Sequence, residues 1–207
     1  MKFSGIVTAL ITPFKKGQVD FDSLDQLVDW QLQEGVDGFV INGTTAESPN
    51  LTTSEVDNIF KNVRQKVGKD FPLLLGTGSN STAKTLESTK HAADLGADGA
   101  LVVVPYYNKP PQRGMVFHFK EVANNSSIPI VLYNVPGRTV VSMKPETVSE
   151  LAKEPNIIGI KDATGDIDQC KKIRELCGTE FLLSSGDDGT CIDHMLVGGN
   201  GVVSVVS

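Results

Sequence analysis

Cysteine is scarce: the chain has three in 207 residues. Cys170, Cys177 and Cys191 are an odd set with no CxxC spacing and no nearby His pair. Neither a disulfide framework nor a Cys/His metal site is expected, and reduced thiols follow. Histidine is equally sparse, and His91, His118 and His194 fall on helical stretches at no ligand spacing, which reads as structural. Positive charge is in deficit, with 19 Lys and Arg against 25 Asp and Glu and a net charge of -6. That balance argues against nucleic acid or an anionic membrane as partner, so any anionic ligand must be held by local positive groups. No apolar run approaches the ~20 residues of a membrane span. The N-terminal stretch "GIVTALITPF" is interrupted by Thr8 and Thr12 and closed by Pro13, unlike a secretory signal. A cytoplasmic protein is expected.

What is present is a recurring phrase. "EGVDGFVI" (34–41) and "LGADGALV" (95–102) share Gly-x-Asp-Gly before an apolar run, and "VGGNGVVS" (197–204) repeats it with Asn for Asp. Each copy follows a helical pattern, so the first Gly reads as a helix cap and the next polar-Gly pair as a turn into a strand. Eight short apolar strands follow: "GIVTALI", "GFVING", "PLLLGTG", "GALVVVPYY", "PIVLYNV", "IIGIKDA", "FLLSSGD" and "GVVSVVS". Amphipathic stretches separate them. In "DSLDQLVDWQLQEG", Leu24, Leu27 and Val28 share a face, with Asp22 or Ser23 as N-cap, and Pro145 is placed to open "PETVSELAK". Short buried strands joined by helical crossovers predict a parallel (β/α)8 TIM barrel over residues 1–207. An open doubly wound sheet is the rival, but no GxGxxG follows the first strand.

In such a barrel the chemistry belongs at the C-terminal ends of the strands. Those ends read "NGTTAE", "GTGSN", "PYYNKPP", "YNVPGRT", "KDATG" and "SGDD". Lys161 ends the buried run "IIGIK", where desolvation would depress its pKa and free the amine needed by a Schiff-base nucleophile. A rim lysine reaching out to solvent is the plain alternative. Thr44 and Thr45 can turn amides and hydroxyls onto a small carboxylate, or form an ordinary Thr-rich loop. Tyr133 at a strand end can relay protons, and Arg138 after a Pro-Gly turn can grip a carboxylate; a core Tyr and a surface Arg fit the spacing as well. Asp187 and Asp188, without partner ligands, read as charge at a helix N-terminus rather than as a metal site.

Taken in order, "GTTAES", "GTGSN", "PYYNKP", "YNVPGRT", "IIGIKDATGD" and "SGDD" resemble the dihydrodipicolinate synthase / N-acetylneuraminate lyase family, along essentially the whole chain. The resemblance implies a class I lyase with no cofactor and no metal, in which Lys161 forms a Schiff base with pyruvate. Tyr133 is implied as general acid/base, relaying protons with Thr44 and with Tyr107 of a neighbouring subunit in a homotetramer, a dimer of dimers. Thr44 and Thr45 are implied to hold the pyruvate carboxylate, Arg138 that of L-aspartate-4-semialdehyde, and Gly186 and Val203 to contribute main chain near the lysine. Sugar-acid lyases such as N-acetylneuraminate lyase generally lack the Arg, which favours the semialdehyde. They remain the alternative within the family, and an inert pyruvate-binding or scaffold relative is the alternative outside it. Relatives inhibited by lysine carry a His in the stretch written here "SPNLTTSEV" and a Glu near Lys84, so weak feedback by lysine is expected. The family continues past "GVVSVVS" into an eighth helix and a helical domain. Val202 and Val206 share one face of the last strand and Val203 and Val205 the other, so whichever face points outward is expected to be left bare together with the outward residues of "GIVTALI", and the 207 residues to form an incomplete, sticky barrel.

Overall fold

The computed structural model describes residues 3–207. Its centre is a closed parallel barrel of eight strands: β1 (Gly5–Ala9), β4 (Gly38–Ile41), β5 (Leu73–Gly76), β6 (Gly99–Val103), β7 (Ile130–Asn134), β8 (Ile157–Asp162), β9 (Leu182–Ser185) and β10 (Gly201–Ser204). The ring closes where β1 pairs with both β4 and β10. A two-stranded hairpin, β2 (Phe14–Lys15) and β3 (Gln18–Val19), follows β1.

Seven barrel strands are followed by a helix of the outer ring: α1 (Phe21–Glu34), α2 (Thr53–Val67), α3 (Thr82–Leu95), α4 (Gln112–Asn124), α6 (Pro145–Leu151), α7 (Ile167–Cys177) and α8 (Cys191–Leu196). A single turn, α5 (Pro136–Thr139), precedes α6. Pro145 opens α6 as expected, whereas α1 is capped by Asp20, whose carboxylate accepts the Ser23 amide, rather than by Asp22 or Ser23. The cap lies earlier because Phe21 is already helical and the Asp20 carboxylate also takes the Ser23 hydroxyl at 2.9 Å.

The Gly-x-Asp-Gly phrase does more than turn the chain. Gly35 and Gly96 cap α1 and α3 in the left-handed conformation. The polar residue that follows then reaches back to the preceding barrel strand. Asp37 accepts the Ile6 amide at 2.8 Å, Asp98 that of Leu73 at 2.9 Å, and Asn200 that of Leu183 at 2.8 Å. An arginine braces two of these ties. Arg64 holds the Gly68 and Phe71 carbonyls and Asp98, while Arg174 holds those of Gly178 and Phe181 and Asn200. The shared spacing Arg-x3-Gly-x2-Phe marks two equivalent corners at the N-terminal end of the barrel. Repeated along the chain, these ties brace that end of the barrel and leave the opposite end to the loops.

Alternation sorts the strand residues. Val7, Val40, Leu74, Leu101, Val131, Tyr133, Leu182 and Val203 fill the barrel interior, while Ile130, Leu132, Ile157 and Ile160 pack outward under α4, α6 and α7. The expected bare surface is only partly where the sequence put it. Val202 and Val203 are 7% and 3% exposed, because β10 sits between β1 and β9 with α8 packed beside it. Val205 and Val206 lie beyond the strand and are exposed, and Ile6, the register partner of Val202, is 47% exposed. No described helix is long and apolar enough to cross a membrane.

Candidate active site

The C-terminal ends of the strands surround a cavity of about 1040 Å³, lined among others by Thr44, Thr45, Tyr133, Arg138, Lys161 and Gly186. These are six of the eight residues singled out in the sequence. The other two are placed differently. Val203 lies in the barrel interior beside Val7, and Tyr107 is not among the residues that line the cavity and is 86% exposed, on a left-handed backbone with φ 72°.

Tyr133 and Lys161 are register partners on β7 and β8, so their side chains leave the sheet on the same, inner face. Lys161 Nζ lies 4.4 Å from the centre of the Tyr133 ring. Lys161 is 5% exposed, and desolvation lowers its pKa to about 8; Asp188 opposes the shift and Arg138 adds to it. The rim reading is thereby set aside, since this ammonium does not reach solvent. Burial raises the Tyr133 pKa against the pull of a hydrogen bond with Thr44 and the Arg138 charge.

Gly186 is required by packing: a Cβ there would come within 2.7 Å of the Ala163 Cβ and 2.8 Å of Lys161 Cε. At the opposite wall, Asn42 takes a left-handed φ of 57° at the end of β4 and is pinned by its side-chain amide to the Gly76 carbonyl at 2.9 Å. This kink starts the turn that carries Thr44 and Thr45, closed by the Ala46 amide on the Gly43 carbonyl and the Glu47 amide on that of Thr44. Arg138 stands on α5, and no carboxylate pairs with it among the described residues. The turn ends at Val140, a β-branched residue at φ 68°, a conformation that costs ~1–3 kcal/mol.

Sequence reasoning missed three features. From the sequence Asp188 reads only as charge at a helix N-terminus. Asp187 does cap the following turn through Thr190, but Asp188 lines the cavity, fixes the Val205 amide at 3.0 Å and acts electrostatically on Lys161. The strained Val140 gives no signal in a sequence without its backbone angles. Lys84, on which the expectation of weak feedback by lysine rests, lines the same cavity together with Glu87 and His91, so a carboxylate that the sequence reading does not count stands on that cavity's wall.

The model of the dihydrodipicolinate synthetase family matches residues 2–207. A 4-hydroxy-tetrahydrodipicolinate synthase of Bdellovibrio bacteriovorus is 56% identical over 205 residues, 99% of this chain and 70% of that protein. The dihydrodipicolinate synthase of Thermotoga maritima superposes with a TM-score of 0.98 at 42% identity, over 100% of this chain and 72% of its own. That of Acinetobacter baumannii, solved in complex with pyruvate, gives 0.95 at 44% identity over 98% of this chain and 70% of its own. With a barrel of the same course and a match along nearly its whole length, this chain belongs to the dihydrodipicolinate synthetase family.

Proposed function

We propose that the chain condenses pyruvate with L-aspartate-4-semialdehyde to give 4-hydroxy-tetrahydrodipicolinate, through a Schiff base on Lys161. The observation that carries this reading is a buried lysine with a pKa of about 8, under a tyrosine and facing an unpaired arginine across one cavity. At pH 7 about a tenth of such a lysine is the neutral amine, against about one part in 2,500 for a free one. That amine attacks C2 of pyruvate, and the resulting carbinolamine loses water to form the imine. Tyr133, hydrogen-bonded to Thr44, supplies the proton for the departing hydroxyl and takes one back when C3 is deprotonated. The enamine so formed attacks the aldehyde carbon of the second substrate, and that substrate's own amino group then adds to the imine carbon, closing the six-membered ring and releasing the Lys161 amine. Arg138 holds that substrate by its carboxylate, and Thr44 and Thr45 hold the pyruvate carboxylate. Gly186 leaves the space that the lysine stem occupies.

Arg138 favours the semialdehyde over a sialic acid, whose reacting end presents hydroxyls. The chain acts as a homotetramer in this reading, and Tyr107 enters the relay from the neighbouring subunit. Its exposure on a strained backbone suits a side chain whose contacts lie on another copy. Pyruvate with borohydride is expected to add mass to the peptide bearing Lys161. Modification elsewhere, or none in folded protein, overturns the assignment. A coupled assay with the semialdehyde against sialic acid then separates the synthase from a sugar lyase. Arg138→Ala is expected to spare trapping and to lower turnover of the semialdehyde by roughly 30- to 1,000-fold, the loss of a charge-assisted pair. Equal loss in both half-reactions makes Arg138 a structural residue instead.

A further inference from the structure

Behind the reacting pair, on the outer face of the same two strands, lies a carboxylate that pairs with no cation among the described residues. Asp162 is 2% exposed, and Asn134, its register partner, is fully buried. Each directly follows a reactive residue and, by strand alternation, faces the opposite way. Asp162 Oδ1 accepts from Asn134 Nδ2 at 3.0 Å and Gln169 Nε2 at 3.3 Å. Its Oδ2 accepts from the Thr164 hydroxyl at 2.6 Å and the Cys170 thiol at 3.4 Å. Burial pushes its pKa up and these four donors pull it down.

We propose that Asp162, through Asn134, is a positioning residue that fixes the spacing of Tyr133 and Lys161 and the loops around them. This rests on Lys161 being the covalent residue. The bonds reach the segments that bear Tyr133, Lys161 and Arg138. Asn134 Oδ1 accepts the Met143 amide at 2.9 Å and its Nδ2 lies 3.3 Å from Ser142 Oγ, tying down the return of the loop that carries Arg138. Thr164, Gln169 and Cys170 anchor the loop and helix after β8 to the same carboxylate. The backbone carbonyls of the two residues continue the lattice. That of Asn134 takes the Ala163 amide at 2.8 Å, and that of Asp162 takes the amide of Gly186, the glycine against the lysine stem, at 2.7 Å.

A buried network that only stabilised the barrel would have no reason to converge on these segments. A carboxylate suits the place because it accepts from four donors without needing a proton of its own. Removing it leaves buried donors without an acceptor, and the two strand ends are then free to shift.

The test compares full-length Asp162→Ala, Asp162→Asn, Asn134→Ala and the double variant Asn134→Ala/Asp162→Ala with the wild type. Borohydride trapping rate, kcat and pyruvate KM are read well below each melting midpoint. Displacing a reacting group by an ångström costs about 100-fold, so Asp162→Ala is expected to lose roughly 30- to 100-fold in kcat. Pyruvate KM should stay within about threefold, because the carboxylate does not touch substrate. Asp162→Asn, which keeps one acceptor, is expected to lie between, and the double variant to be little worse than the poorer single one. A fall in melting temperature with kcat within about twofold of wild type in the Asp162 variants reduces the network to stability and overturns the inference. Should Asp162→Ala not fold, Asp162→Asn decides by the same criterion. A wild type that fails to trap overturns the Lys161 reading and this inference with it. A trapping wild type beside unchanged variants overturns this inference alone.

Discussion

The barrel has two contrasting seams. Between β7 and β8, side chains do the work on both faces: Tyr133 and Lys161 within, and Asn134 and Asp162 on the outer face, the side that α4, α6 and α7 cover with apolar residues. Between β10 and β1, backbone meets backbone. Gly201 stands opposite Gly5, and a Cβ on Gly201 would fall 2.1 Å from the Gly5 carbonyl oxygen. Outside that contact Ile6 is half bare. One seam is held by packing and polar satisfaction and carries the chemistry. The other is held by close approach of the main chain and closes the ring. A single fold thus puts the tolerance for a costly buried charge where side-chain support is densest.

That contrast is sharpest at Lys161. A lysine whose folded pKa is depressed from the ordinary 10.5 to about 8 binds its proton less well folded than unfolded. The cost to stability is therefore fully present below pH ~8 and vanishes as the pH rises through ~10.5, amounting to about 3 kcal/mol at neutrality. Lys161→Met is expected to abolish trapping and lower kcat by at least ~10⁴-fold. In the same protein, stability at pH 7 should rise by up to ~3 kcal/mol, a gain that disappears toward pH 10.5. Urea unfolding of both proteins at pH 7 and pH 10 checks it. A variant less stable than wild type at pH 7 would mean that the amine is satisfied where it lies, and the contrast between the seams would lose its main support.

The closing seam breaks differently. Gly201→Ala forces a Cβ into the Gly5 backbone at a φ of 150°, and no flexible side chain is there to give way. A cost of ~3 kcal/mol or more is expected, combining overpacking with backbone strain. Ile6→Ala, a few ångströms further out, should cost under ~1 kcal/mol because the side chain is half exposed already. Denaturation midpoints that rank these two in the opposite order would show that the seam is held by its apolar surface after all.

Much of this was legible in the sequence. The alternating strands, the order of their polar ends and the lysine closing "IIGIK" follow from periodicity and the cost of burying an ammonium, which are local properties. Thr44, Tyr133, Arg138 and Gly186 came with the motifs. What escaped depends on partners distant in the chain. Asp98 and Asn200 read as turn residues, and nothing local says that each reaches a strand 25 or 17 positions earlier. Asp162 stood in plain view beside Lys161, yet its role needs Asn134, 28 residues away, on the same outer face. The hairpin β2–β3 has two residues per strand, too few for any period to show.

The smallest expected effect compares two buried histidines, one on the flank of each seam. His118 on α4 shares a hydrogen bond between its Nδ1 and the Thr82 hydroxyl at 2.9 Å and leaves Nε2 buried without a partner; His194 on α8 leaves both ring nitrogens so. Burial lowers each pKa from 6.5 to about 4, aided for His194 by the Arg174 charge. Both are therefore neutral in the fold across the range where an unfolded chain takes up a proton. Their contribution is intact above pH ~6.5 and declines as the pH falls toward ~4, so that at pH 5 each lowers stability by about 2 kcal/mol relative to pH 8. Replacing His194 by Phe or His118 by Gln should remove about half of that acid sensitivity. The His194 change should do so at less cost at pH 8, since it breaks no hydrogen bond. Urea midpoints at pH 8 and pH 5 read the difference. If the fall between the two pH values is unchanged in both variants, the acid response belongs to carboxylates instead, and the two flanks do not share this liability.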